Sequence, residues 1–268
     1  MEPFVEQSHI SETIPLVVSI PHAGTHLPQA VLDRLASDAM RALPLTDWHV
    51  HELLDFLPHF GVTVLHATWS RFYSDLNRPP ELGVVHEGIF SSGIITLETE
   101  HGEVVWAEPP TTDQVLEWRR HVYEPYHARL RELLREQLNQ HGKVVLIDAH
   151  SVPSYEETEL TTLEHDIYLG NRNGETCGEW LMNGVTASFA AQGFDVAHNG
   201  PFAGGYITEH YGRMPGVEAL QVEIVQRVYM DENDPCDALE SPRFATAKAK
   251  LANAFRRITA AVREGIAA

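Results

Sequence analysis

Apolar side chains along this chain fall into two spacings, short unbroken runs and a recurrence every three to four residues, and each spacing predicts a different element. Leu16-Val17-Val18-Ser19-Ile20 is a β-branched run closed by Pro21, which predicts a buried strand. Residues 61–67 and 143–148 predict two more, and Val144-Val145-Leu146-Ile147 is the strongest strand signal in the chain. Residues 166–169 and 194–197 predict short strands, and 218–228 alternates as a further one. Helical spacing predicts helices over 28–40, 47–57, 111–140 and 176–192, and a last one from Pro242 to about residue 265. Thr111 followed by Gln114 is a capping-box signature, and Pro125 predicts an interruption of that helix. Thr46 or Asp47 is the expected N-cap of the 47–57 helix. A Gly- and Pro-punctuated segment (71–102, with a hairpin joining 94–97 to 103–106), a polar loop (149–164) and a glycine-rich loop (198–216) fill the remainder.

Strands that alternate with helices, without internal repeat or linker, predict a single α/β domain over residues 1–268. The expected architecture is a three-layer sandwich, a mixed and mostly parallel twisted sheet with helices on both faces. In such sheets ligands collect beyond the carboxyl ends of the strands. That rule singles out His22 after the first strand, His150 after the 143–148 strand, and Glu223 in the last.

The 268 residues carry 19 Lys and Arg against 38 Asp and Glu, a formal charge of −19, so a nucleic-acid or anionic-membrane partner is not expected. A hydrophobic content of 43% excludes intrinsic disorder, and no apolar run has the length of a membrane span. The amino-terminal residues have neither the basic start nor the apolar core of a signal peptide, and Cys177 and Cys236 build no disulfide framework. A reducing, cytoplasmic setting is expected. Oligomeric state stays open. Neither a P-loop nor a Gly-x-Gly-x-x-Gly frame is present, and Ser151 lacks the frame of a nucleophile elbow.

Sixteen histidines is a heavy load for an acidic chain, and imidazole is the commonest metal ligand. His22 and His150 stand in equivalent places, each after an apolar strand, so they are placed to converge above the sheet. A catalytic zinc takes about three protein ligands and one open position. Asp47, at a helix start, is the candidate third ligand; the competing reading makes it an N-cap and the histidines strand-end hydrogen-bond formers. Arg71 and Asn77-Arg78 suit a carboxylate-bearing substrate, against the alternative of an Arg78–Asp75 surface pair. Arg172 and Arg213 are further carboxylate partners or ordinary surface arginines. Glu223 is flanked by Val222 and Ile224, where an unpaired carboxylate is costly; it is a general base or a salt-bridged strand residue.

Taken in order, Ser19-Ile20-Pro21-His22-Ala23-Gly24, Thr46-Asp47-Trp48, Asp75-Leu76-Asn77-Arg78, Asp148-Ala149-His150-Ser151, Pro201-Phe202-Ala203-Gly204-Gly205-Tyr206 and Gln221-Val222-Glu223 resemble the N-formylglutamate amidohydrolase family, from about residue 14 to about residue 260. The resemblance implies a fold like that of zinc carboxypeptidases and aspartoacylases, and hydrolysis of N-formyl-L-glutamate to formate and L-glutamate in histidine degradation. It implies Zn²⁺ (or another divalent metal) on His22 and His150, a substrate-carboxylate grip by Asn77 and Arg78, carbonyl polarisation or substrate binding by Arg71, and Glu223 as the base acting on a zinc-activated water. The partner is then a small dicarboxylate. In the carboxypeptidase group the carboxylate ligand follows the first histidine by three residues, where this chain has Thr25, so Asp47 takes that role, with His26 and His49 as alternatives. A deacylase of another N-acyl acidic amino acid, of the aspartoacylase or desuccinylase kind, and a non-catalytic acidic-amino-acid binding protein are the alternative functions.

Overall fold

The computed structural model describes residues 1–80, 93–99, 102–156 and 161–267. Its strands are β1 (Phe4–Gln7), β2 (Leu16–Ile20), β3 (Thr63–Ala67), β4 (Val144–Val152), β5 (Tyr155–Glu156), β6 (Thr161–Thr162), β7 (Ile167–Gly170), β8 (Val196–His198) and β9 (Val217–Val225). The helices are α1 (Gln29–Leu32), α2 (Asp38–Arg41), α3 (Val50–Leu53), α4 (Thr112–Trp118), α5 (Glu124–His141), α6 (Glu179–Ala190), α7 (Tyr206–Gly212) and α8 (Pro242–Ala267). Seven strands form one sheet in the order β1-β3-β2-β4-β9-β7-β8, and β5 pairs with β6 apart from it. β3, β2, β4 and β9 run parallel, whereas β1 and β7 join their neighbours antiparallel, so the sheet is mixed and mostly parallel.

Alternation along the central strands builds two apolar layers. Val18, Ile20, Val145, Ile147, Leu220, Val222 and Ile224 pack with Leu181, Val185 and Phe189 of α6 and Leu251, Phe255 and Ile258 of α8. On the other side, Val17, Leu65, Val144, Leu146, Val217 and Ala219 pack with Tyr126, Leu130 and Leu134 of α5 and Ile207 and Tyr211 of α7. Toward the carboxyl ends this second face turns polar. Along β4 it passes from Leu146 to Asp148 and His150, and along β9 from Ala219 to Gln221 and Glu223; the register pairs Asp148 with Gln221 and His150 with Glu223. Among the described residues no helix is long and apolar enough to cross a membrane.

Several expected elements are corrected. The 28–40 helix is two single turns, because Ser37 caps a new start, its Oγ accepting from Met40 N at 3.2 Å. The 47–57 helix shrinks to α3 and a 3₁₀ turn at Leu57–Phe60; His49, with a φ of 60°, is the residue before α3, so Asp47 is not its cap. Within 111–140 the capping box forms, and α4 passes through a π-helical stretch at Arg119–Tyr123 into α5. Pro125 accounts for this, since it has no N–H for the His121 carbonyl and its ring crowds it. The hairpin expected between 94–97 and 103–106 is a short antiparallel pairing, in which Glu98 bridges Val104 while Trp106 bridges Leu35. The Val105 N–H donates to the Leu97 carbonyl at 2.9 Å and the Thr99 N–H to the Glu103 carbonyl at 2.8 Å. Parts of the segments 71–102 and 149–164 (81–92, 100–101 and 157–160) lie outside the described residues. β4 extends to Val152 because β9 pairs with it throughout, which puts His150 inside a strand instead of in the following loop. β1 and α7 are additions to the expected elements; β1 is four residues of mixed polarity, and α7 is hidden inside the glycine-rich stretch.

Ile147, fully buried at the centre of β4, anchors the strand that carries His150. Ile147→Ala is expected to cost about 2–5 kcal/mol of unfolding free energy, measured by urea denaturation. A cost under about 0.5 kcal/mol, the range of ordinary surface substitutions, would show that this layer is not closely packed.

Candidate metal centre and its cleft

His22 leaves the end of β2 at the turn opened by Pro21, and its backbone carbonyl accepts the Asp47 N–H at 3.1 Å, which ties the loop before α3 to the strand end. His150 projects from the adjacent strand, two residues beyond Asp148. Ligand atoms of His22, Asp47 and His150, all buried, lie within 4.8 Å of one another. The two rings have centroids 4.9 Å apart. Asp47 Oδ2 is 2.9 Å from His150 Nδ1 and 3.9 Å from His22 Nδ1, so both Nδ1 atoms and one carboxylate oxygen face a common point. The alternatives to Asp47 are elsewhere: His26 meets the Trp69 ring edge-on at 4.5 Å, and His49 Nε2 bonds the Pro235 carbonyl at 2.7 Å.

The opposite ring nitrogens face carboxylates. His22 Nε2 is 2.7 Å from Asp75 Oδ1, which also accepts the Asn77 N–H at 2.9 Å. Asp75 Oδ2 accepts from Arg71 Nη2 at 2.7 Å and Nε at 3.2 Å. Burial opposes the ionisation of Asp75, but the Arg71 guanidinium and His22 outweigh it and hold the carboxyl well below the usual range. Arg71, and not Arg78, therefore closes on Asp75, in a buried pair instead of a surface one. His22 is pushed below its ordinary value by burial and by Arg71. His150 is pushed down by burial, yet the Asp148 and Glu223 carboxylates carry it well above the ordinary value.

This donor set fits a divalent cation. A proton on each Nε2, donated outward to Asp75 and Asp148, leaves both Nδ1 lone pairs pointing inward beside Asp47. Asp148 Oδ1 supports that arrangement: it is buried without a hydrogen-bond partner and lies 3.1 Å from His150 Nε2, where the ring proton would satisfy it. Two imidazoles and a carboxylate form the set that catalytic zinc sites use.

A cleft opens beside these ligands, lined among others by Arg71, Asn77, Arg78, Gly205, Gln221 and Glu223. Gln221 Nε2 donates to Glu223 Oε1 at 2.9 Å, while Gln221 Oε1 accepts the Gly205 N–H at 2.6 Å, so the glycine-rich loop is tied to the strand that carries Glu223. A side chain at Gly205 would collide with the Asn77 amide, which is why that close approach requires glycine. Arg78 extends from a backbone held by Tyr123, whose hydroxyl donates to the Arg78 carbonyl at 2.8 Å.

Arg172 and Arg213 are not brought into the cleft; both pair with Glu209 on α7, at 3.2 and 2.5 Å. Arg172 packs behind the loop, its Nη1 donating to the Gly204 carbonyl at 3.3 Å. Sequence reasoning assigned no role to Asp148 or Gln221, and had Asp75 only as a surface partner of Arg78, whereas it meets His22 and Arg71. A signal was present, since Asp148 and His150, like Gln221 and Glu223, are two apart on strands and must share a face.

The sequence profile of the N-formylglutamate amidohydrolase family matches residues 14–230. The N-formylglutamate deformylase of Pseudomonas putida is 37% identical over 228 residues, 83% of this chain and 84% of that protein. Its counterpart from Pseudomonas aeruginosa is 35% identical over 226 residues, with the same coverage of 83% and 84%. The crystal structure of N-formylglutamate amidohydrolase from Ralstonia eutropha JMP134 superposes with a TM-score of 0.87 at 28% identity, covering 99% of this chain and 100% of that one. A gene product of Agrobacterium tumefaciens shares the fold, with a TM-score of 0.74 at 17% identity over 100% and 97% of the two chains. From the residues before β2 to those beyond Glu223, the matched region spans the candidate metal centre and its cleft, and the chain belongs to the N-formylglutamate amidohydrolase family.

Proposed function

We propose that this chain hydrolyses N-formyl-L-glutamate to formate and L-glutamate, a step of histidine breakdown, with a bound zinc ion. One observation carries the reading: His22, Asp47 and His150 converge at the floor of a cleft that also presents Glu223, Arg71 and Arg78. The deformylase names of the two Pseudomonas relatives support the substrate.

A divalent cation held by His22, Asp47 and His150 would supply Lewis acidity, favouring negative charge on the formyl oxygen and acidifying water. Glu223, across the strand pair from His150, accepts a proton from water as the water oxygen bonds to the formyl carbon. The same carboxyl then returns that proton to the glutamate nitrogen as the C–N bond breaks, and the remaining hydroxyl proton passes to the amine, giving formate and the ammonium group of L-glutamate. Gln221 holds the Glu223 carboxylate in place through its amide. Arg71, with its plane fixed by Asp75, faces the cleft and donates toward the developing oxyanion. Arg78 holds a substrate carboxylate through its planar fork. In a chain of formal charge −19, these guanidinium groups give the local positive potential that a dicarboxylate needs.

Formate released from N-formyl-L-glutamate, assayed beside the N-acetyl and N-succinyl analogues, should be fastest for the formyl compound; faster turnover of either analogue would replace the substrate assignment. Chelation should abolish turnover and added zinc restore it, whereas full activity in metal-free protein would remove the cation from the scheme. Glu223→Gln is expected to retain zinc and lose about 10²–10⁴-fold in kcat; a near-normal kcat would displace Glu223 as the base. Arg78→Ala should raise KM more than it lowers kcat, and an unchanged KM would put the carboxylate grip elsewhere.

A further inference from the structure

We propose that Asn77 and Thr208 are positioning residues for His150, acting through Asp148. The inference rests on the reading of His22, Asp47 and His150 as cation ligands.

Asn77 is buried, and its Oδ1 accepts the Ile207 N–H at 2.7 Å. That backbone donor settles which end of the amide is oxygen, so Nδ2 must be the end that faces the strand. Nδ2 lies 3.0 Å from His150 Nε2 and 3.4 Å from Asp148 Oδ2, spanning the pair. Gly205 covers it from the loop side so closely that a Cβ there would overlap the amide. Because Nε2 carries its proton toward Asp148, the acceptor left for the amide on the strand side is Asp148 Oδ2, and the amide oxygen is already used.

Asp148 is the hub of this arrangement. It is fully buried on β4, and its Oδ2 accepts from Thr208 Oγ1 of α7 at 3.1 Å. Thr208 is fully buried as well, so its hydroxyl is committed to this bond. With Oδ2 held by Thr208 and approached by Asn77, the carboxylate cannot rotate, and Oδ1 stays aimed at His150 Nε2, 3.1 Å away. A carboxylate that accepts the outer ring proton fixes both the tautomer and the direction of the inner nitrogen. α7, which makes no direct contribution to the three ligands, therefore sets the ring that does, through Thr208 and through the Ile207 N–H. Outer partners of this kind change metal affinity by about 10- to 100-fold when lost.

The test measures zinc affinity by competition with a chromophoric chelator, and separately kcat and KM for N-formyl-L-glutamate at saturating zinc. Thr208→Val keeps the shape and removes the donor; it should weaken zinc binding about tenfold with KM at saturating zinc within twofold, and Thr208→Ser should restore the affinity. Asn77→Ala should also weaken zinc binding, in contrast to Arg78→Ala, which should raise KM with unchanged zinc affinity. Thr208→Val binding zinc as tightly as the unaltered chain would overturn the proposal. So would Asn77→Ala raising KM severalfold with normal zinc affinity, the behaviour of a substrate ligand. If Thr208→Val does not fold, the Thr208→Ser and Asn77→Ala results decide alone, and a serine variant that binds zinc tenfold more weakly also counts against the proposal. An unaltered chain that binds no zinc would overturn the underlying reading, an outcome distinct from variants that bind like a zinc-competent parent.

Discussion

Buried negative charge next to two imidazoles is the constraint on which this molecule depends. Asp47, Asp75, Asp148 and Glu223 are each less than a tenth exposed and surround His22 and His150. Removing a carboxylate from water costs several kcal/mol unless partners compensate. Arg71 compensates Asp75, and Gln221 donates to Glu223. Around His150 the carboxylates of Asp47, Asp148 and Glu223 gather, and Asp148 and Glu223 carry the ring well above its ordinary value against the effect of burial. A divalent cation held by His22, Asp47 and His150 would balance that negative charge in place of a proton. The chemistry of the cleft and the stability of its floor are thus parts of one electrostatic arrangement.

The fold supplies this arrangement by a change of character along one sheet face. Leu146 and Ala219 belong to the layer under α5 and α7, and their successors on the same face, Asp148, His150, Gln221 and Glu223, belong to the site. Because side chains alternate with period two, the two strands need only shared register to place His150 beside Glu223. Loops then supply what strands cannot. The segment that contains Arg71, Asp75, Asn77 and Arg78 reaches the same point from beyond β3, and its backbone is held by Tyr123 and by His127, whose ring is 2.9 Å from the Leu76 carbonyl. The π-helical stretch before Pro125 ends at Tyr123, so the interruption in the long helix adjoins the residue that supports Arg78.

Two arginines that looked equivalent to the others along the chain proved to be different in space. Arg172 and Arg213 share Glu209, and their charge is spent on α7 and on the Gly204 carbonyl. Arg71 and Arg78 line the cleft. In so acidic a protein, the location of positive charge matters more than its amount, because exposed charges beyond about 10 Å are screened.

The sequence by itself determined the central strands, the mixed α/β sandwich and the placing of His22, His150 and Glu223, because burial period and strand-end position are local properties that a single chain displays. It also carried the family's motifs in order. β1, α7 and the extension of β4 through His150 were decided by tertiary structure, since β1 pairs with β3, α7 is met by Asn77 and Asp148, and β4 is paired throughout by β9. The break in the first helix, by contrast, is the local cap of Ser37 on Met40. Asp47 shows the difference most clearly. Its neighbours read as a helix start, yet α3 begins after His49, and the Asp47 carboxylate instead meets a ring 103 residues away. Asp75 with His22, and Arg172 with Glu209, followed the same rule, since those segments meet only once the chain has folded, whereas Asp148 and Arg213 lie two and four residues from their partners.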